Sequence, residues 1–127
     1  MDRADTGRVF ERALWLQEEQ RYDEAIELYR RIVDSFPEAC GALANLGYCL
    51  NMIDRNREAV SFLIKAIECG EYKMKIDLGY AYYKLGMYDH ALIELIAVNN
   101  FFNYEDDVMH YYTGMCYFKK RTNDISR

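Results

Sequence analysis

Small residues recur along this chain at a nearly fixed spacing: Ala13, Gly47, Gly79 and Gly114 lie 34, 32 and 35 residues apart. Each is followed three residues later by a large side chain (Leu16, Leu50, Tyr82, Tyr117), and the first three are followed twelve residues later by Ala25, Ala59 and Ala91. A period in the low thirties with small residues at two phases marks stacked helix–turn–helix units, because small side chains are needed where paired helices touch. The pattern predicts seven helices, near residues 5–19, 22–35, 38–52, 56–69, 72–85, 88–99 and 105–119. Pro37 is expected to open the third helix, since proline is tolerated in a first turn. Gly70 is expected to stop the fourth, and the stretch Asn99 to Asp106, with Asn99, Asn100 and Asn103, reads as a turn.

Composition agrees with a helical body. A chain of 127 residues forms one domain that buries roughly two-thirds of its unfolded surface; 51% of it is hydrophobic and it has a single proline. The formal net charge is −5 and the basic residues form no run longer than the three of Lys119, Lys120 and Arg121, which argues against nucleic acid, whose phosphates call for a dense basic surface. The sequence has no apolar run of eighteen residues and no signal-peptide pattern at its start, so membrane insertion is not expected and a cytoplasmic setting is.

Laid out in repeats 6–39, 40–71, 72–106 and an incomplete 107–127, the chain resembles a tetratricopeptide-repeat protein over almost its whole length. The family's small residue at repeat position 8 matches Ala13, Gly47, Gly79 and Gly114, and that at position 20 matches Ala25, Ala59 and Ala91. Position 11 falls at Leu16, Leu50, Tyr82 and Tyr117; position 24 at Tyr29, Leu63 and Leu95; and the tyrosine of position 17 at Tyr22 and Tyr88, with Asn56 departing from it. The closing proline is present only as Pro37. The resemblance implies an all-α, right-handed helical-repeat solenoid of about three and a half repeats, or seven helices, either entire or as the N-terminal part of a longer array.

Chemistry beyond that scaffold is sparse. Cys40, Cys49, Cys69 and Cys116 form no Cys-x-x-Cys pair, so they read as reduced, packed thiols rather than a zinc or redox framework. His90 reads as an outward-facing structural residue, and His110 takes a position where the family packs a large side chain. Without a metal pair or a phosphate loop, and with Asp23, Glu24 and Glu27 explained by helix-dipole preferences, no enzyme, cofactor or metal is expected.

In proteins the chain resembles, the first helix of each repeat lines a concave groove. The corresponding positions here are Phe10, Leu14, Tyr48, Met52, Ile76, Tyr80, Tyr83, Tyr111, Met115 and Phe118, an apolar and tyrosine-rich stripe. Asn45, Lys73, Asp77 and Tyr112 run beside it. Such a stripe reads as a peptide-binding groove, with the alternative that the tyrosines fill it by packing on one another. Asn45 and Asp77 are placed to hydrogen-bond a peptide backbone, and Glu11 with Asp77 to favour a basic peptide. The carboxylate clamp that some family members use for chaperone tails is not expected: its five places read Phe10, Leu14, Asn45, Lys73 and Asp77, and an aspartate replacing its arginine repels a carboxylate. The expected function is an adaptor that binds another protein or peptide. The alternatives are a partner-holding chaperone similar to the tetratricopeptide chaperones of type III secretion, or a module that self-associates as a homodimer through the incomplete fourth repeat.

Overall fold

The computed structural model describes residues 1–102 and 107–125. Its helices are α1 (Arg3–Glu18), α2 (Tyr22–Ser35), α3 (Cys40–Met52), α4 (Asn56–Glu68), α5 (Lys75–Lys84), α6 (Tyr88–Phe102) and α7 (Asp107–Ile125), with a short 3-10 helix (Tyr72–Met74) leading into α5. Consecutive helices pack on one another along the whole chain, and α7 also touches α5.

Local sequence explains most of the ends. At the start of α1 the Asp2 carboxylate accepts the Asp5 amide at 2.8 Å, satisfying one of the donors that a helix N-terminus leaves open. At α2 and α4 no side chain caps the backbone; instead Arg21 grips Glu24, and Arg55 grips Glu58, each through a two-pronged contact at 2.6–2.8 Å. Arg30 adds a bond to Glu58 at 2.8 Å, fastening α2 to α4 across the repeat boundary. The turns from first to second helix each pass through one residue with positive φ, at Gln20 (61°), Asp54 (61°) and Gly86 (76°), the same phase of each repeat. Gly70, with φ of 113°, ends α4 as expected.

The core lies where the repeat phases meet. Ala13, Ala25, Ala59 and Ala91 are fully buried. A Cβ added to Gly47 would fall 2.5 Å from Leu63 Cδ2, and one on Gly79 would fall 2.7 Å from Leu95 Cδ2, so these glycines let first and second helices touch. Most of the buried side chains form one cluster running from α1 to α5; a smaller one holds Ala91, Leu92, Leu95 and Val98 of α6 with Met109 and Cys116 of α7. Partly buried Tyr82 packs against both.

Several expectations are corrected. Pro37 does not open α3, which starts at Cys40. It lies in a turn closed by the Ala39 amide donating to the Phe36 carbonyl at 3.0 Å, in the second place of that turn, where its fixed φ fits as well as in a helix. The fifth helix is not continuous from residue 72, and Asn99 and Asn100 are helical because α6 runs on to Phe102. The rest of that expected turn, 103–106, lies outside the described residues. Helix α7 extends six residues past its expected end.

The cysteines divide. Cys49 and Cys116 are buried free thiols, and burial pushes the Cys49 thiol up to about 12. Cys40 and Cys69, expected to be reduced, are instead joined in a disulfide that links the start of α3 to the end of α4, with their Cα atoms 5.8 Å apart. His110 is exposed rather than packed, since among the described residues no helix follows α7 to cover it.

Candidate functional site

Helices α3, α5 and α7 share a face and enclose a cavity of about 340 Å³. From α3 it is lined by Tyr48, Asn51 and Met52, from α5 by Ile76, Asp77 and Tyr80, and from α7 by Val108 and Tyr112. Four of these, Tyr48, Met52, Ile76 and Tyr80, belong to the sequence-derived stripe, and Asp77 and Tyr112 to the residues read beside it. Asn51 and Val108 belong to neither, although both occupy repeat positions on the same face; the stripe was drawn from apolar side chains at some positions and not others.

Tyr112 organises the α7 side. Its ring meets Tyr80 edge-on at 5.1 Å, Tyr111 at 5.1 Å and Tyr83 at 5.3 Å, and Tyr83 continues to Tyr88 at 6.0 Å. Edge-to-face contacts of this kind fix ring orientation, so the tyrosines brace one another and still leave the cavity open. Burial, then the neighbouring tyrosines, holds the Tyr112 hydroxyl above its ordinary pKa. On α3, Tyr48 stacks edge-on against Tyr22 at 6.4 Å; burial raises its pKa first, and Tyr22 and Asp77 add to the effect. Both phenols are therefore neutral at physiological pH and able to donate.

The remaining stripe residues are placed otherwise. Phe10 packs edge-on against Tyr29 at 5.7 Å and lies against Gly41, joining α1 to its neighbours, and partly buried Leu14 does not reach the cavity. Asn45 donates to the Gly41 carbonyl at 2.9 Å within its own helix. Lys73 is exposed in the 3-10 helix. Tyr111 and Phe118 are exposed on α7 beyond the cavity lining, with Met115 half-buried between them.

A polar bridge underlies the cavity. Asn51 donates from Nδ2 to the Asp77 carbonyl at 3.0 Å and accepts at Oδ1 from Asn56 Nδ2 at 2.9 Å. Asn56, the departure from the family's tyrosine, thus has a partner of its own: together the two asparagines tie α4 and α3 to the backbone of α5.

Burial pushes the Asp77 carboxyl up to about 6, with a hydrogen bond from its own amide opposing the shift. A carboxyl whose folded pKa lies above its unfolded value binds protons more tightly when folded, so stability falls as pH rises from about 4 through 6. Tyr48 and Tyr112, which line the same cavity and whose pKa values are raised, do not change charge in that range. Asp77→Asn is therefore expected to raise stability by about 1–2 kcal/mol at pH 8 and to leave it nearly unchanged at pH 3.5. Thermal melts at the two pH values check this; a variant that melts lower at pH 8 would contradict it.

Residues 9–39 match the family model for the tetratricopeptide repeat. Over almost its full length the structure resembles solved tetratricopeptide domains. The first such domain of human RPAP3 superposes with TM-score 0.83 at 16% identity, covering 96% of this chain and 97% of that one. The first such domain of Spaghetti (RPAP3), solved with the HSP90 peptide SRMEEVD, gives TM-score 0.83 at 16% identity, covering 100% and 98%. Yeast Tom70 gives TM-score 0.82 at 17% identity, covering 97% of this chain and 26% of Tom70. No curated protein is similar to the chain in sequence. The chain has the helical-repeat fold of these domains, and its residues 9–39 match the tetratricopeptide-repeat family. No helix among the described residues is long and apolar enough to cross a membrane.

Proposed function

We propose that the chain is a non-catalytic adaptor that binds a peptide segment of another protein along the face formed by α3, α5 and α7. The observation that carries this reading is the cavity itself: tyrosines from three helices line an open, largely apolar hollow, those of α5 and α7 bracing one another, and such a surface supplies contact area at low entropy cost. Among its structural neighbours, the Spaghetti (RPAP3) domain was solved with an HSP90 peptide that carries three acidic residues. This chain does not suit so acidic a ligand, because Asp77 faces the same cavity and the net charge is −5.

Selection from a random peptide library displayed on phage tests the reading. Enriched peptides are expected to lose about thirtyfold or more in affinity, about 2 kcal/mol, on Tyr80→Ala with Tyr111→Ala, as hot-spot aromatics do. Unchanged affinity would remove the groove. A second reading, self-association through α7, draws on its exposed row of Val108, Tyr111 and Phe118. Sedimentation across concentration separates the two: a dimer dissolved by Phe118→Glu would make α7 an interface between copies.

A further inference from the structure

We propose that the cavity between α3, α5 and α7 is a receptor for one cationic side chain, a lysine or arginine of the bound peptide, with Asp77 as its counter-ion and Tyr48, Tyr80 and Tyr112 as its walls. The inference rests on the peptide-binding reading above and adds to it the chemistry of the anchor.

The first ground is an unanswered charge. Among the described residues Asp77 makes no salt bridge and its carboxylate receives no side-chain hydrogen bond; Asn51 reaches only its backbone carbonyl. The lysines of its own helix are engaged elsewhere, Lys75 with Glu94 at 3.1 Å and Lys84 with Asp54 at 3.6 Å. A carboxylate drawn out of water with no cation beside it weakens the fold, since buried charges are ordinarily paired. A partner that arrives with the ligand supplies what the chain does not.

The second ground is the shape and chemistry of the walls. Three tyrosines line the cavity together with Asp77, and ring faces attract ammonium and guanidinium groups, more strongly once water is excluded. Met52, Ile76 and Val108 give the same cavity an apolar component, suited to the methylene stem that lysine and arginine bury while presenting their charge. About 340 Å³ is space for a side chain rather than for a folded element.

The third ground is what the site excludes. An acidic side chain would meet Asp77, and a purely apolar one would bury the carboxylate further without neutralising it.

The test compares peptides selected from the same random library on the wild-type chain and on Asp77→Asn, whose fold is verified by circular dichroism. The wild type is expected to enrich peptides with lysine or arginine at one fixed position, and Asp77→Asn to lose that preference while keeping the apolar anchors. In the best peptide, replacing the basic residue by norleucine, which keeps the stem and removes the charge, should weaken binding to the wild type by about tenfold or more. The same replacement should change binding to Asp77→Asn by less than about threefold. Peptides that depend on Tyr80 but show no basic position would overturn this inference and leave the groove standing. So would a norleucine peptide that binds the wild type as well as its parent does. Failure to enrich any peptide would overturn the groove reading, and this inference with it.

Discussion

Gly47→Val is expected to destabilise the protein by about 3 kcal/mol or more, while Gly114→Ala, at the same phase of the last repeat, is expected to stabilise it by up to about 1 kcal/mol. A Cβ at Gly47 would lie 2.5 Å from Leu63 Cδ2 and 2.6 Å from Leu63 Cγ, and Leu63 is fully buried, so the leucine has no free volume into which to withdraw. Valine adds two further methyl groups to a site with no room for one, and overpacking of this kind forces helices apart. Around Gly114 nothing among the described residues lies within 4 Å of the same atom. There an alanine meets open space and relieves the entropy that glycine costs inside a helix. Urea denaturation of both variants measures the pair; equal effects in one direction would mean that the two glycines do not differ in their surroundings as described.

Asn51→Ala is expected to cost about 2–3 kcal/mol, more than a polar residue on a binding face ordinarily does. Asn51 is 3% exposed and serves two bonds at once, donating to the Asp77 carbonyl and accepting from Asn56, itself 6% exposed. Truncation leaves the Asn56 amide without its acceptor in a dry place and unties α5 from the second repeat. Asn56→Ala removes only one of the two bonds and should cost about half as much. A double-mutant cycle checks the link: the two losses should be clearly less than additive. Additive losses would mean that the asparagines act separately.

The scaffold was legible because it is written in small residues. Gly47 and Gly79, found by counting, are the points where Leu63 and Leu95 press against the preceding helix, and the alanines of the second phase are fully buried. Gly114 keeps the phase without the contact, because a repeat signal reports what a position does in an array and not whether its neighbour is present. Pro37 was read as a helix start because fixed φ suits both a first helical turn and the second place of a tight turn, and only backbone hydrogen bonds distinguish them. The Cys40–Cys69 pairing has no local mark: the residues are 29 apart, and only the return of α4 along α3 brings them together.

The candidate site was legible as a face but not as a cavity. Tyr48, Met52, Ile76 and Tyr80 were on the sequence-derived stripe and Asp77 and Tyr112 beside it, and their convergence depends on how α7 leans onto α5, which no spacing encodes. Asn51 was passed over because the stripe was sought in apolar side chains, while its role comes from a carbonyl 26 residues further along the chain. Phe10 was on the stripe and packs instead against Tyr29 and Gly41, since a large ring on the first helix has a neighbour to cover it.

The two hydrophobic clusters meet at Tyr82, and the cavity straddles their seam, with Tyr48 packing against the larger cluster and Tyr112 against the smaller. A guest seated there touches both sides, so the free energy of its binding adds to the work of peeling α7 away from the rest of the solenoid. A filled cavity is therefore expected to make α7 melt together with the rest of the described helices rather than ahead of them.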